Sequence, residues 1–422
     1  MHFRAVSFVA LLVCAACGEQ PVPAPAPATP SSLAAPAPKS EAERRLESDA
    51  LAIEAEIEKL RGQEFRAPVE LRVSDKQGLL RYIEERRRLD TTPERERFLE
   101  QSAKLTGLIR PELDLVQAVT DFYSAQVGGF YDPPSKSFRI MQGYEGDLAR
   151  LIMAHEFVHA LDDQWHDLDR LAKSMGNDSD AMFAFSALCE GSAMTTMTQW
   201  MLSNAAKLDP QALAKIQETG MAGMKDLPPF VWKPSLAAYT AGQSFVEKGG
   251  KARLAEAFAR PPRSSEQILH PEKYWSTDKR DDPVRVEFKT DKLPAGWKVL
   301  GQDTLGEIGL MLLTMPKDQR KGIDPGDLGA MIGMKFTSKP AEGWDGDRMM
   351  LSEGDGARVL DLVVVFDTDT DAEEFRAAMQ ELVSLGTAVE TGVSHTSKVV
   401  HLRWSDSGRG LAQFTPEYSI LQ

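Results

Sequence analysis

Along residues 41–63 apolar side chains recur among charged ones at helical spacing, with Leu46, Leu51, Ile53, Ile57 and Leu60 along one side. This predicts a solvent-facing amphipathic helix. Residues 78–108 show the same period, and the basic run RYIEERRRLD there is balanced by neighbouring Glu, the mark of a solvated face with i,i+4 pairs. Pro111 opens a further helix to about Gln126. The pattern then changes. Gly128-Gly129-Phe130-Tyr131, a turn over Asp132-Pro133-Pro134-Ser135, and Lys136-Ser-Phe-Arg-Ile-Met141 predict a β-hairpin. A helix follows from an N-cap at Asp147 to about Leu171, then a second apolar helix over about 180–204, with breaks at Pro228-Pro229 and Pro261-Pro262. Near the C-terminus RVLDLVVVFDT reads as a buried strand, DAEEFRAAMQELVSL as an amphipathic helix and SKVVHLRWS as an alternating strand. The whole predicts an α+β protein. A helical region at 41–125 leads into a mainly helical core with a small hairpin at 126–329, and a small α/β unit lies at 330–422. No internal repeat is present.

Composition changes this picture at one end. The 422-residue chain is 42% hydrophobic and 27% charged, and its net charge of −14 argues against a nucleic-acid partner, which requires a basic footprint. MHFR and AVSFVALLV form the charged and apolar parts of a signal sequence too short to span a bilayer. CAAC places two alanines before Cys17, resembling a bacterial lipobox, although Cys14 stands where that pattern prefers an aliphatic residue. Residues 1–17 therefore predict a lipoprotein signal with Cys17 as the acylated residue; ordinary secretion is the alternative. Residues 18–40, GEQPVPAPAPATPSSLAAPAPKS, read as an extended Pro/Ala-rich tether between anchor and fold. The expected location is the cell envelope, at the outer membrane in a Gram-negative host. Once the signal is cleaved before Cys17, only Cys17 and Cys189 remain, so no disulfide framework stabilises the fold.

The candidate chemistry sits in the first apolar helix, LIMAHEFVHALDDQ. Residues four apart on a helix share a face, with Cβ atoms about 6 Å apart. His155 and His159 can thus grip one ion between them, and Glu156 lies beside that face, placed to take a proton from a water that the ion has made acidic. This His-Glu-x-x-His pattern, on an amphipathic helix following a hairpin, predicts a zinc site with Glu156 as general base. A third ligand is needed. The HExxHxxGxxH arrangement is ruled out, since Asp162 stands at the glycine position and Trp165 at the third histidine. His166 lies roughly 10 Å further along the axis, suited to a surface or supporting role. Glu190 is the only charge in AFSALCEGSAMTTM; a buried carboxylate requires a partner, and zinc is a natural one, with a Lys or Arg as the alternative. Cys189, about 100° away on the helix, cannot face the same point and reads as a small core residue. Asp163 is placed either to orient a ligand imidazole or to serve as a surface or capping residue. His270, Tyr274 and Tyr239 are candidates for stabilising an oxyanion, with His270 first. GWDGDR at 343–348 and DTDTD at 367–371 lack calcium-loop spacing and read as turns.

VGGFYDP, HEFVHALDDQ, CEGSA, RSSEQILHPEKYW, LGEIGLMLL and GWDGDR together resemble a gluzincin-type family of zinc-metallopeptidase-like envelope proteins of bacteria and archaea. The resemblance covers about residues 115–380 and departs at Trp165, Ser192 and Asp345. It implies a zincin-like fold for the core, His155, His159 and Glu190 as zinc ligands, Glu156 as catalytic base and a protein or peptide substrate. Two other classes stay open: a catalytically silent binding or structural lipoprotein, and a zinc amidase acting on peptidoglycan.

Overall fold

The structure, a computed structural model, describes residues 40–209, 227–320 and 334–421. The signal sequence, Cys17 and the tether up to residue 39 lie outside them. The first helix, α1 (Glu41–Arg61), opens with reciprocal bonds: Ser40 Oγ accepts from the Glu43 N–H and the Glu43 carboxylate accepts from the Ser40 N–H. It closes at Gly62, whose φ of 64° only glycine adopts without strain. A short strand, β1 (Glu70–Ser74), follows; its exposed pattern gave no sequence signal. The helix expected over 78–108 is two, α2 (Lys76–Asp90) and α3 (Pro93–Leu105). The chain turns at Thr91-Thr92, because the residue before Pro93 is barred from helical backbone. Helix α4 (Leu115–Gln126) starts from an Asp114 cap rather than at Pro111. The hairpin is present as β2 (Gly129–Asp132) and β3 (Ser137–Met141), and β1 adds to it in parallel, giving the order β1-β3-β2.

Helix α5 (Gly146–His166) ends where Asp167 adopts φ 58°, and α6 (Leu168–Ser174) continues beyond that bend, so the helix expected to reach Leu171 is broken. Its cap is Glu145; Asp147 lies inside the first turn, paired with Arg150. Nor is α5 amphipathic: every residue from Leu151 to Asp163 is buried, which makes it the central helix of the domain. Helix α7 (Ser179–Asn204) is capped by Asp178 and runs beside α5. Helix α8 (Pro229–Gly249) begins at the Pro228-Pro229 break and crosses α7 on the other side. At that crossing a Cβ on Gly191 would sit 2.1 Å from the Gly242 carbonyl oxygen, and one on Gly242 would sit 2.1 Å from that of Ala187. The two backbones are in contact, and only glycine fits at either position. Short helices α9 (Leu254–Ala259), α10 (Ser265–Leu269) and α11 (Glu272–Trp275) follow.

The C-terminal unit is a five-stranded sheet in the order β5-β6-β7-β9-β8, made of β5 (Lys298–Asp303), β6 (Trp344–Gly354), β7 (Ala357–Phe366), β8 (Glu390–Thr396) and β9 (Val399–Ser405). Its pairings are antiparallel throughout. The expected α/β unit is therefore an antiparallel sheet with helix α13 (Asp369–Leu382) on one face, and it takes in β5 and helix α12 (Gly306–Leu313), both upstream of residue 330. Two-stranded pairing of β4 (Arg285–Phe288) with β10 (Tyr418–Leu421), and helix α14 (Gly410–Gln413), complete the chain. On β7, Leu360, Leu362, Val364 and Phe366 join the core under α7 and α13, while Val363 and Val365 pack against Val286 and Phe288 on the other face. Burial on both faces explains its unbroken apolar run. GWDGDR is not a turn but the start of β6. The Asp347 carboxylate there accepts the N–H groups of Leu305 (2.9 Å) and Gly306 (2.8 Å) at the start of α12. DTDTD opens α13, with Thr368 as its cap. The architecture is α+β. One core spans α7, α8 and the sheet; a second spans α1, the hairpin, α5 and α7.

Candidate metal centre

His155 and His159 project from the middle of α5 and Glu190 from the middle of α7, and the three meet. His155 Nε2 lies 3.1 Å from His159 Nε2 and 3.2 Å from Glu190 Oε2, and His159 Nε2 lies 3.5 Å from the same oxygen. Donors about 2.0–2.1 Å from a tetrahedral zinc stand roughly 3.3–3.4 Å from one another, so the three distances match the edges of such a site. Two imidazole nitrogens and one carboxylate oxygen are also a donor set that zinc accepts. The group can hold a metal ion. Glu190 pairs with neither Lys nor Arg, the alternative open at the sequence level, but with the two imidazoles.

Burial and charge divide the carboxylates of the site. Burial by itself would raise the Glu190 pKa, but the attraction and hydrogen bonds of His159 and His155 outweigh it and bring the carboxyl down to about 2. Glu156 has no such help. Burial and the nearby charge of Glu190 push its pKa well above the usual carboxylate range, against the pull of one backbone donor, the Tyr131 N–H at 2.8 Å from Oε2. Its other oxygen, Oε1, is buried and has no partner among the described residues. Burial also lowers the His155 pKa, which keeps the ring in the neutral form that binds metal. His155, Glu156 and His159 are fully buried, and Glu190 retains 7% exposure.

Several expectations change here. Asp163 does not orient an imidazole. Its Oδ2 accepts from the Tyr131 hydroxyl (2.8 Å) and Lys136 Nζ (2.7 Å), and its Oδ1 from the Leu168 N–H (3.0 Å), so it ties the hairpin to the end of α5. The Nδ1 atoms of His155 and His159 have no partner among the described residues. His270 is held by Glu307 (3.0 Å), a residue also bonded by the Thr337 hydroxyl, and its pKa is raised by that carboxylate; none of its interactions is with the metal-site residues. Tyr274 donates to the Arg260 carbonyl (2.6 Å) and packs on Phe245 and Trp275, a structural position. Tyr239, the remaining candidate, is the one brought to the site. Its ring centroid is 6.0 Å from that of His155, and its buried hydroxyl is turned to the Glu190 carboxylate. Burial raises its pKa most, with the charges of Glu190 and Glu156 adding to it. The Gly191–Gly242 crossing, three residues from Tyr239, is what brings α8 this close.

Cys189 is buried in the core as expected, and burial pushes its thiol up. His166 stacks on Phe258 with centroids 4.5 Å apart. The Tyr131 N–H carried no sequence signal, because it is a backbone group whose role depends on the edge of β2 meeting α5. A second carboxylate trio, Glu266, Asp281 and Asp367, converges on Lys273 Nζ at 2.6, 2.8 and 2.8 Å, so that cluster already contains its cation.

Residues 296–411 match a family described as a domain of unknown function, DUF8575. This match covers the antiparallel sheet and not the metal-site helices. No curated protein and no solved structure matches the chain.

Proposed function

We propose that the protein is a zinc-dependent metallopeptidase of zincin-like architecture, anchored in the cell envelope through Cys17, and that it hydrolyses peptide bonds in protein or peptide substrates. The observation that carries this reading is Glu156. One of its oxygens is fixed by the Tyr131 N–H, the other is buried with no partner among the described residues, and the carboxylate feels the charge of Glu190, one of three converging metal donors. His155, His159 and Glu190 would hold the zinc, which supplies a Lewis acid that makes a water acidic and polarises a carbonyl. Three converging donors rather than four among the described residues support a hydrolytic over a structural zinc.

Glu156 Oε1 then accepts the proton of the attacking water, while the bond from Tyr131 keeps the carboxylate from rotating away. Its raised pKa suits the second half of the task, since the protonated carboxyl can pass that proton to the leaving amine nitrogen. Tyr239 donates its hydroxyl hydrogen to the carbonyl oxygen as negative charge develops there, turning to it from the Glu190 carboxylate. Glu190 stays ionised, and His155 stays neutral.

The test is parallel digestion of a protein panel and of peptidoglycan by zinc-loaded wild type and Glu156→Gln. The expected result is cleavage of protein by wild type alone. Cleavage of peptidoglycan only would make the protein an amidase. No cleavage of either by a zinc-loaded chain would make it a binding lipoprotein.

A further inference from the structure

We infer that Arg61, Asp162 and Ser192 form a buried clasp that sets how far α7 stands from α5, and so where Glu190 meets the two histidines, with Arg61 as a positioning residue for the metal centre. The inference rests on the metal-centre reading above. Arg61 is the last residue of α1, yet it is only 7% exposed and its guanidinium reaches between the two ligand-bearing helices. There it donates to Asp162 Oδ1 on α5 (2.5 Å) and to Ser192 Oγ on α7 (3.0 Å). Ser192 in turn donates its hydroxyl hydrogen to Asp162 Oδ2 (2.6 Å), which closes the ring. Both oxygens of Asp162 and both functions of the Ser192 hydroxyl are used.

The placement relates the clasp to the metal site. Asp162 is three residues after His159, and Ser192 is two after Glu190 with Gly191 between them turned to α8. On α7, Glu190 and Ser192 stand about 200° apart, and both reach α5. Any rotation or slide of α7 that opens the Ser192–Asp162 bond therefore moves Glu190 relative to His155 and His159. The tip of α1 is fixed from outside as well, since Lys251 Nζ donates to the Leu60 carbonyl (2.5 Å). Ser192 is also one of the positions at which the chain departs from the family it resembles.

The test uses the full chain, with zinc affinity read by chelator competition and coordination geometry by the electronic spectrum of the Co²⁺-loaded protein. Arg61→Met keeps the length of the side chain and removes its charge and fork. It is expected to weaken zinc binding 10–100-fold, the range found when a group supporting a metal ligand is removed, and to shift the Co²⁺ bands. Arg61→Lys should recover part of both. Ser192→Ala, which deletes one hydroxyl, should shift the bands in the same direction, and it decides the matter if Arg61→Met does not fold. Zinc affinity within twofold of wild type, with unchanged Co²⁺ bands, in the folded variants would overturn the clasp. A wild type that binds no zinc would instead overturn the metal centre on which the clasp rests.

Discussion

Glu156 and Glu190 are both buried and are driven in opposite directions, Glu190 down by its two imidazoles and Glu156 up by burial and the charge of Glu190. That separation assigns the roles in the proposed chemistry: ionised ligand and proton carrier. Residue-level chemistry was the part most legible in the sequence. Two histidines four apart and a single carboxylate in an apolar run are chemically costly unless they meet, and they do. Where the partner is a backbone group, as with the Tyr131 N–H, or a side chain 101 residues away, as with Arg61 and Asp162, local pattern held nothing to read. Tyr239 was one of three candidates, with His270 placed first, and packing brings Tyr239 rather than His270 to the site. Tyr239→Phe removes one hydroxyl and leaves the ring in place. It is expected to keep its zinc and to lose about 10²–10³ in kcat, measured by peptide cleavage; undiminished turnover would move the oxyanion role elsewhere.

Among the elements, α7 is the pivot, since it contributes to both large cores and carries Glu190. It was read to within a residue at each end because its apolar run is long and Asp178 caps it. Strand β1 was missed because its five residues face solvent in part and pair with β3 across more than sixty residues of chain. Helix α5 is buried rather than amphipathic, and the polar residues near its C-terminal end, Asp162, Asp163 and Gln164, are spent on internal bonds. The close crossing of α7 and α8 gives a prediction at this scale. Gly242→Ala inserts a methyl against the Ala187 carbonyl, should cost about 1–3 kcal/mol, and should displace Tyr239. Denaturation and cleavage assays are expected to show lower stability and turnover with zinc retained; unchanged stability would mean that the helices are not in contact. The start of α12 gives another. Burial pushes Asp347 up to about 7, against the N–H groups of Leu305 and Gly306 and the Trp344 indole. Between the unfolded value near 4 and the folded one, the folded state holds a proton that the unfolded state has released. Stability through this group therefore falls as pH rises across that window, by about 1.4 kcal/mol per unit. Relative to wild type, Asp347→Asn should gain stability from pH 4.5 to 7.5, as read by urea denaturation; parallel curves would place the titration elsewhere.

At the scale of the whole molecule, the antiparallel sheet and the helices α7 and α8 share one hydrophobic core. No helix among the described residues is long and apolar enough to cross a membrane; the envelope attachment proposed above is through Cys17. Cys17→Ser is expected to abolish labelling with fatty acid and partition into detergent; acylation like that of wild type would remove the lipobox. The α+β class was legible in the change of hydrophobic period along the chain. The antiparallel order of the sheet was not, because a strand–helix–strand pattern does not reveal that β8 pairs with β9 rather than with β7. The central claim is that one zinc joins α5 to α7 through His155, His159 and Glu190 while Glu156 acts without binding it. The most direct test is zinc per chain by elemental analysis, run on purified wild type, Glu156→Gln, His159→Ala and Glu190→Ala. About one zinc is expected in the first two and a sharp loss in the last two. Full occupancy in Glu190→Ala, or none in wild type, would contradict it.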